Sequence, residues 1–179
     1  MNVDIRSLVR PEVLRLKPYL PAKKVTNKVR LNANESPFSV TEKAEAMSLN
    51  LYPDAVPYKI RSSVANYLGI EEENCVVTRG STEAIDILVR TFCSPNDDEI
   101  IIFPPTFEMY QFYAAIQGIN IIRVPLLEDS NYQIDIDVFK SKLSKKSKLT
   151  FLCSPSNPTG HSIDTTSIYP VCELLKGYG

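Results

Sequence analysis

From residue 57 onward the chain alternates between two hydrophobic rhythms. Over 57–68, Ile60, Val64, Tyr67 and Leu68 recur at helical spacing and Gly69 follows as a stop, which predicts a helix packing one face into a core. Residues 75–78 form a short apolar run that predicts a strand. Residues 81–93 return to the helical period, with Ile85, Leu88, Val89 and Phe92 in step. The same switch repeats three times: strand over 99–103 and helix over 107–117, strand over 119–125 and helix over 135–143, strand over 148–152 and helix over 164–176. Gly118 ends the second of these helices, and Pro170 is tolerated near the start of the last. Such alternation predicts an α/β fold of βαβ units, with a mostly parallel sheet and helices on both faces.

The first 50 residues lack this rhythm. Residues 1 to about 28 read as an arm with one short helix over 7–16, interrupted by Pro11 and followed by Pro18 and Pro21. An arm with so little apolar content must lie on something else to be ordered. A short helix is predicted over 41–49. In Leu51-Tyr52-Pro53-Asp54, Pro53 holds Tyr52 extended, so its side chain is displayed. No internal repeat or low-complexity tract is present.

Composition narrows the function class. Of the 179 residues, 44% are hydrophobic and 23% charged, and the net charge of −1 argues against a nucleic-acid-binding surface. No run approaches the ~18 apolar residues of a membrane-spanning helix, and the N-terminus lacks the apolar core of a signal peptide, so the expected location is the cytosol. Cys75, Cys93, Cys153 and Cys172 are widely spaced beside apolar runs, without a C-x-x-C pair for zinc or redox chemistry. They read as buried, reduced thiols.

Two turns carry candidate chemistry. In Arg79-Gly80-Ser81-Thr82-Glu83-Ala84-Ile85-Asp86 a glycine turn opens a helix directly after a strand. Ser81 and Thr82 there are either simple N-caps or part of an anion cradle, in which unpaired amides and the helix dipole stabilise a phosphate. Leu152-Cys153-Ser154-Pro155-Ser156-Asn157-Pro158-Thr159-Gly160 likewise follows a strand and forms a rigid turn around one amide side chain. Ligands in parallel α/β sheets sit at the carboxyl ends of strands, and the loops after three of the predicted strands carry Ser81, Phe107 and Asn157. One site could collect all three.

In this order and at this distance, the two turns resemble those of the fold-type I pyridoxal-phosphate aminotransferases. Three further stretches, Leu31-Asn32-Ala33-Asn34-Glu35-Ser36-Pro37-Phe38, Leu51-Tyr52-Pro53-Asp54 and Pro104-Pro105-Thr106-Phe107-Glu108-Met109-Tyr110, resemble the histidinol-phosphate aminotransferase branch. The resemblance implies pyridoxal 5′-phosphate as cofactor and a homodimer. It also implies a domain plan: residues 1–50 as an arm and part of a small domain, and 51–179 as the first part of the cofactor-binding large domain, its sheet incomplete in this chain.

By the same resemblance, Gly80, Ser81, Thr82 and Glu83 hold the cofactor phosphate. Phe107, where the family often has tyrosine, stacks on the cofactor ring, and Asn157 donates to its O3′ oxygen. Tyr52 reaches the phosphate of the partner subunit's cofactor, and Tyr19 and Asn34 approach the substrate. On the residues alone, Tyr19 and Tyr52 read equally as packing or surface tyrosines.

The lysine that bonds the cofactor in this family has no counterpart in the chain. Lys140, Lys142, Lys145, Lys146 and Lys148 read as a solvated basic cluster with no apolar surroundings to lower a pKa, and His161 reads as a surface residue. The expectation is a histidinol-phosphate transaminase of which this chain is the N-terminal portion, inactive by itself. Two alternatives stand beside it: a non-catalytic remnant serving as a phosphate-binding or interaction module, and another aminotransferase or decarboxylase of the same fold. Leu31-Asn32-Ala33-Asn34-Glu35-Ser36-Pro37 favours the histidinol-phosphate branch over the latter.

Overall fold

The structure is a computed structural model that describes residues 4–19, 28–29, 31–39 and 49–178. In chain order the elements are helices α1 (Pro11–Leu14), α2 (Tyr58–Leu68) and α3 (Ser81–Phe92), strand β1 (Glu99–Ile102), helix α4 (Met109–Ile116), strands β2 (Asn120–Arg123), β3 (Leu126–Leu127) and β4 (Gln133–Ile134), helix α5 (Ile136–Lys142), strand β5 (Ser147–Phe151) and helix α6 (Thr165–Leu175). The chain forms two compact units, Met1–Leu16 with Thr78–Gly179, and Lys17–Val77.

The larger unit is built on a three-stranded sheet in the order β2-β1-β5, with both pairings parallel. Ile100, Ile101 and Ile102 of the central strand are all buried. Because side chains alternate across a strand, the run divides between two cores. Ile100 and Ile102 pack with Ile85 and Val89 of α3 and Ala114 of α4. Ile101 and Phe103 pack on the other face with Phe139 of α5 and Val171 of α6. A central strand that is apolar on both faces needs helices on both, each buried isoleucine contributing about 1.5–3 kcal/mol. The expected α/β architecture is therefore present. A small antiparallel pair, β3 with β4, lies between β2 and α5 and has no counterpart in the pattern-based reading.

Four expectations are corrected. The run Cys75-Val76-Val77-Thr78 is no strand: Cys75 is extended, but the run pairs with no described residue and Val76 is 78% exposed. A strand requires a ladder partner, which short apolar patterning cannot guarantee. The face of α2 expected to enter a core is exposed at Ile60, Tyr67 and Leu68, and Ala65 is its buried residue. The helix over 7–16 breaks at Pro11 into a 3₁₀ turn, Ile5–Leu8, and the single turn of α1. Of the four thiols only Cys93 is buried, whereas Cys172 is exposed. The helix predicted over 41–49 lies outside the described residues apart from Leu49.

Because Ile101 is buried and Ile60 is not, Ile101→Ala should cost about 2–5 kcal/mol in urea unfolding. Ile60→Ala should stay within about 0.5 kcal/mol of the parent protein. Equal losses would place the core elsewhere.

Candidate functional site

At the carboxyl ends of β1 and β5 lies a cleft of about 470 Å³, whose walls include Pro104, Pro105, Phe107, Asn157 and Pro158. The strands are neighbours, so the loop that follows β1 and the loop that follows β5 leave the sheet side by side. Two of the sequence-selected residues, Phe107 and Asn157, are thereby brought to one site. The Pro104–Pro105, Ser154–Pro155 and Asn157–Pro158 peptide bonds are cis.

Each wall is held from behind. Phe107 packs against the Ile85 and Val89 cluster and meets Tyr110 edge-on, with ring centroids 5.7 Å apart at 86°. Tyr110 in turn stacks on Phe151 at the end of β5, at 4.7 Å and 13°. Its hydroxyl is pushed up to about 12, by burial first and then by a hydrogen bond with the Cys153 side chain. The Asn157 amide N–H donates to Cys153 Sγ at 3.4 Å, and that thiol donates to the Pro155 carbonyl at 3.6 Å. Ser156 N–H donates to the His161 carbonyl at 2.7 Å, and Ile163 N–H donates to Ser154 Oγ at 3.0 Å. The asparagine turn is thus closed by its own backbone and short side chains.

Sequence reasoning passed over Tyr110 and Cys153. The signal lay in the quoted motifs: Tyr110 stands three positions after Phe107, at helical reach, and Cys153 four before Asn157. His161 is corrected from a surface residue to a half-buried one, its ring 5.0 Å from that of Tyr132.

The glycine turn has the geometry its sequence implies. Gly80 takes φ 83°, a left-handed conformation that side-chain-bearing residues rarely adopt, and α3 begins at Ser81. No side chain caps this helix, so the Ser81, Thr82 and Glu83 amides have no protein partner among the described residues. The Glu83 carboxylate turns back to accept from Arg79 N–H and pairs with the Arg79 guanidinium at 2.7 Å. What Glu83 presents at the helix start is therefore its amide rather than its side chain. Arg79 holds the Glu83 carboxyl below the usual carboxylate range, chiefly through their side-chain hydrogen bond. Residues Gly80 to Glu83 do not line the cleft, although Ile85, one turn along α3, shares a core with Phe107.

Tyr19, Asn34 and Tyr52 belong to the smaller unit. Tyr19 is exposed, and Asn34 is exposed with φ 50°. The Tyr52 N–H donates to Glu35 Oε1 at 2.6 Å, and Asn50 Nδ2 donates to the Ser36 carbonyl at 2.8 Å, so the two motifs of this unit are tied together. The lysine cluster does not line the cleft. Lys140, Lys142, Lys145 and Lys146 are exposed; Lys142 donates to the Arg123 carbonyl and Lys146 lies 3.5 Å from Asp97. Among the described residues, no His, Cys, Asp or Glu cluster could hold a metal ion, and no helix is long and apolar enough to cross a membrane.

Residues 19–179 match the family model for aminotransferase class I and II. The chain belongs to this aminotransferase family. A histidinol-phosphate aminotransferase from Buchnera aphidicola subsp. Schlechtendalia chinensis is 38% identical over 98% of the chain and 49% of its own length. The chain spans about half the length of the curated relatives it matches. Among solved aminotransferases, alanine aminotransferase from Pyrococcus furiosus aligns with a TM-score of 0.69 at 22% identity, over 76% of this chain and 36% of that one. Cystalysin from Treponema denticola, whose structure contains a pyridoxal 5′-phosphate cofactor, aligns with a TM-score of 0.64 at 23% identity, over 72% of this chain and 34% of that one. At these identities the structural likeness establishes the fold: the parallel, helix-flanked sheet is part of the fold-type I aminotransferase architecture.

The Arg79–Glu83 pair gives a pH-dependent helix start. A carboxyl depressed in the folded state contributes stability above the ordinary carboxylate range and loses it as pH falls through the depressed value. Glu83→Gln should therefore lower the melting temperature at pH 7 and have less effect at pH 3. An equal decrement at both values would show that the charge plays no part.

Proposed function

We propose that this chain binds pyridoxal 5′-phosphate and supplies the phosphate cradle and ring clamp of a histidinol-phosphate transaminase. The reaction exchanges an amino group between histidinol phosphate or imidazole-acetol phosphate and glutamate or 2-oxoglutarate, a step of histidine biosynthesis. The observation that carries this reading is the meeting of Phe107 and Asn157 in one cleft, at the carboxyl ends of adjacent parallel strands. The curated histidinol-phosphate aminotransferase from Buchnera aphidicola subsp. Schlechtendalia chinensis, 38% identical over nearly the whole chain, supports the choice of substrate.

The residues fit the cofactor. A cleft of about 470 Å³ has room for a substituted pyridine ring, and Phe107 offers it a flat apolar face. The Asn157 carboxamide donates a hydrogen bond to the ring oxygen, stabilising its ionised form. The partnerless amides of Ser81, Thr82 and Glu83, with the Ser81 and Thr82 hydroxyls, receive the phosphate. The helix dipole adds about 0.3–1 kcal/mol there. When bound, the cofactor supplies the electron sink for amino-group transfer. Phe107 lacks a phenolic hydroxyl, so it clamps by its face alone.

The reading extends to a cytosolic homodimer in which Tyr52 serves the partner's phosphate site, with Tyr19 and Asn34 toward the substrate and the domain plan dividing at residue 50. The motif resemblance supports these assignments. Among the described residues no lysine lines the cleft, and the 179 residues alone should be silent in transamination.

Purified chain with pyridoxal phosphate, histidinol phosphate and 2-oxoglutarate should form no glutamate beyond the protein-free control; turnover would overturn that assignment. Thr82→Ala should weaken cofactor binding about ten- to a hundredfold through loss of one charge-assisted hydrogen bond. Asn157→Ala should instead raise the pH midpoint of the bound cofactor's absorbance change. An unchanged affinity returns Thr82 to a helix-start residue, and an unchanged midpoint removes Asn157 from the site.

A further inference from the structure

A second cavity, of about 320 Å³, runs along α4 and the strand β2 at the edge of the described sheet. From the helix side it is lined by Glu108, Gln111, Phe112 and Ala115, whose spacing of three, four and seven positions puts them on one face. Ile121 and Arg123 line it from β2, two positions apart and so also on one face. Its floor is apolar. Met109 and Ile121 pack against the Ile85 and Val89 core, and Phe112 and Ala115 are exposed beside them.

Two opposite charges border this floor. Arg123 Nη2 donates to Gln111 Oε1 at 2.9 Å, which holds the guanidinium in place and leaves its other N–H groups without a partner among the described residues. The Glu108 side chain does not cap α4, and neither Glu108 nor Arg123 joins an ion pair among the described residues. Glu108 and Gln111 stand one helical turn apart, roughly 5–6 Å between Cβ atoms, so the carboxylate and the guanidinium flank a gap of that order. A lone anion in the groove would meet Glu108, and a lone cation would meet Arg123. A wholly apolar ligand would strip water from both charges and answer neither. A ligand with both charges on adjacent groups and an apolar body complements all three features.

We propose that this groove binds an α-amino acid with a large apolar side chain. Its carboxylate lies on Arg123, its ammonium on Glu108, and its side chain over Phe112, Ala115 and Ile121. The proposal does not rest on the pyridoxal-phosphate reading. Glu108, Met109 and Gln111 line the cleft as well, so an amino acid held here reaches residues that also border the cleft.

The test is a titration of the ¹⁵N-labelled 179-residue chain with L-phenylalanine, followed by amide resonances. Those of Phe112, Ala115, Ile121 and Arg123 should move together and saturate, while that of Asn157 stays in place. On the same parent chain 3-phenylpropionate, which lacks the ammonium, and phenethylamine, which lacks the carboxylate, should each bind about three- to fivefold more weakly. Arg123→Gln should weaken phenylalanine by a similar factor and leave phenethylamine unchanged, and Ala115→Leu, which fills the groove, should abolish binding. Resonances of the groove that do not move with phenylalanine overturn the proposal, as does movement at Asn157 without movement at Ala115 and Arg123. Equal binding of phenylalanine and both analogues also overturns it, because the two charges would then recognise nothing.

Discussion

Three consecutive isoleucines at the centre of the sheet impose the constraint from which the larger unit follows. Ile100, Ile101 and Ile102 cannot all point one way in a strand, and all are buried, so apolar cover is required on both faces. Helices α3 and α4 provide it on one side and α5 and α6 on the other. Cover by helices forces the strands to be joined by crossovers, and crossovers make neighbouring strands parallel. Parallel strands end on the same edge of the sheet. The loops after β1 and β5 then emerge together, and the cleft is the space between them.

The cleft has an apolar body of proline, Phe107 and Met109 side chains, with Thr106, Glu108, Gln111 and Asn157 as its polar lining. A proline-rich loop brings Phe107, and a self-bonded turn brings Asn157. The turn spends its own donors internally, from Ser156 to His161 and from Ile163 to Ser154, which leaves the Asn157 carboxamide for a ligand. The helix start at Gly80 obeys a different principle. There the absence of a side-chain cap matters, since three amides without partners and a left-handed glycine make a place for an anion. Glu83 does not fill that place, because Arg79 holds its carboxylate.

Much of this was legible in the sequence where local chemistry decided the outcome. The helical period of Ile85 and Val89, the strand predicted over 99–103 and the strand-then-turn placement of Asn157 depend on near neighbours, and all are found. What escaped depended on partners distant in the chain. The run 75–78 has strand-like composition, but composition does not supply a ladder. The apolar stripe of α2 has helical spacing, yet spacing does not say what packs against it. Tyr110 and Cys153 were written inside recognised motifs, but the stacking of Tyr110 on Phe151 and the acceptance of the Asn157 N–H by Cys153 are contacts that no one-dimensional pattern records. Cys153 and Cys172 look alike in sequence, and only the fold assigns one to the asparagine turn and the other to the surface.

The central claim is that the glycine turn and the two strand-end loops, which are separate in sequence, receive one ligand. Hydrogen–deuterium exchange with and without pyridoxal 5′-phosphate tests it most directly. The Ser81, Thr82 and Glu83 amides lack protein partners and should exchange fast in the free chain. With the cofactor present their exchange should slow together with that of Phe107 and Asn157, while β2 and α5 stay unchanged. Protection of the strand-end loops without the helix start, or no protection at either, would contradict a single site built from all three.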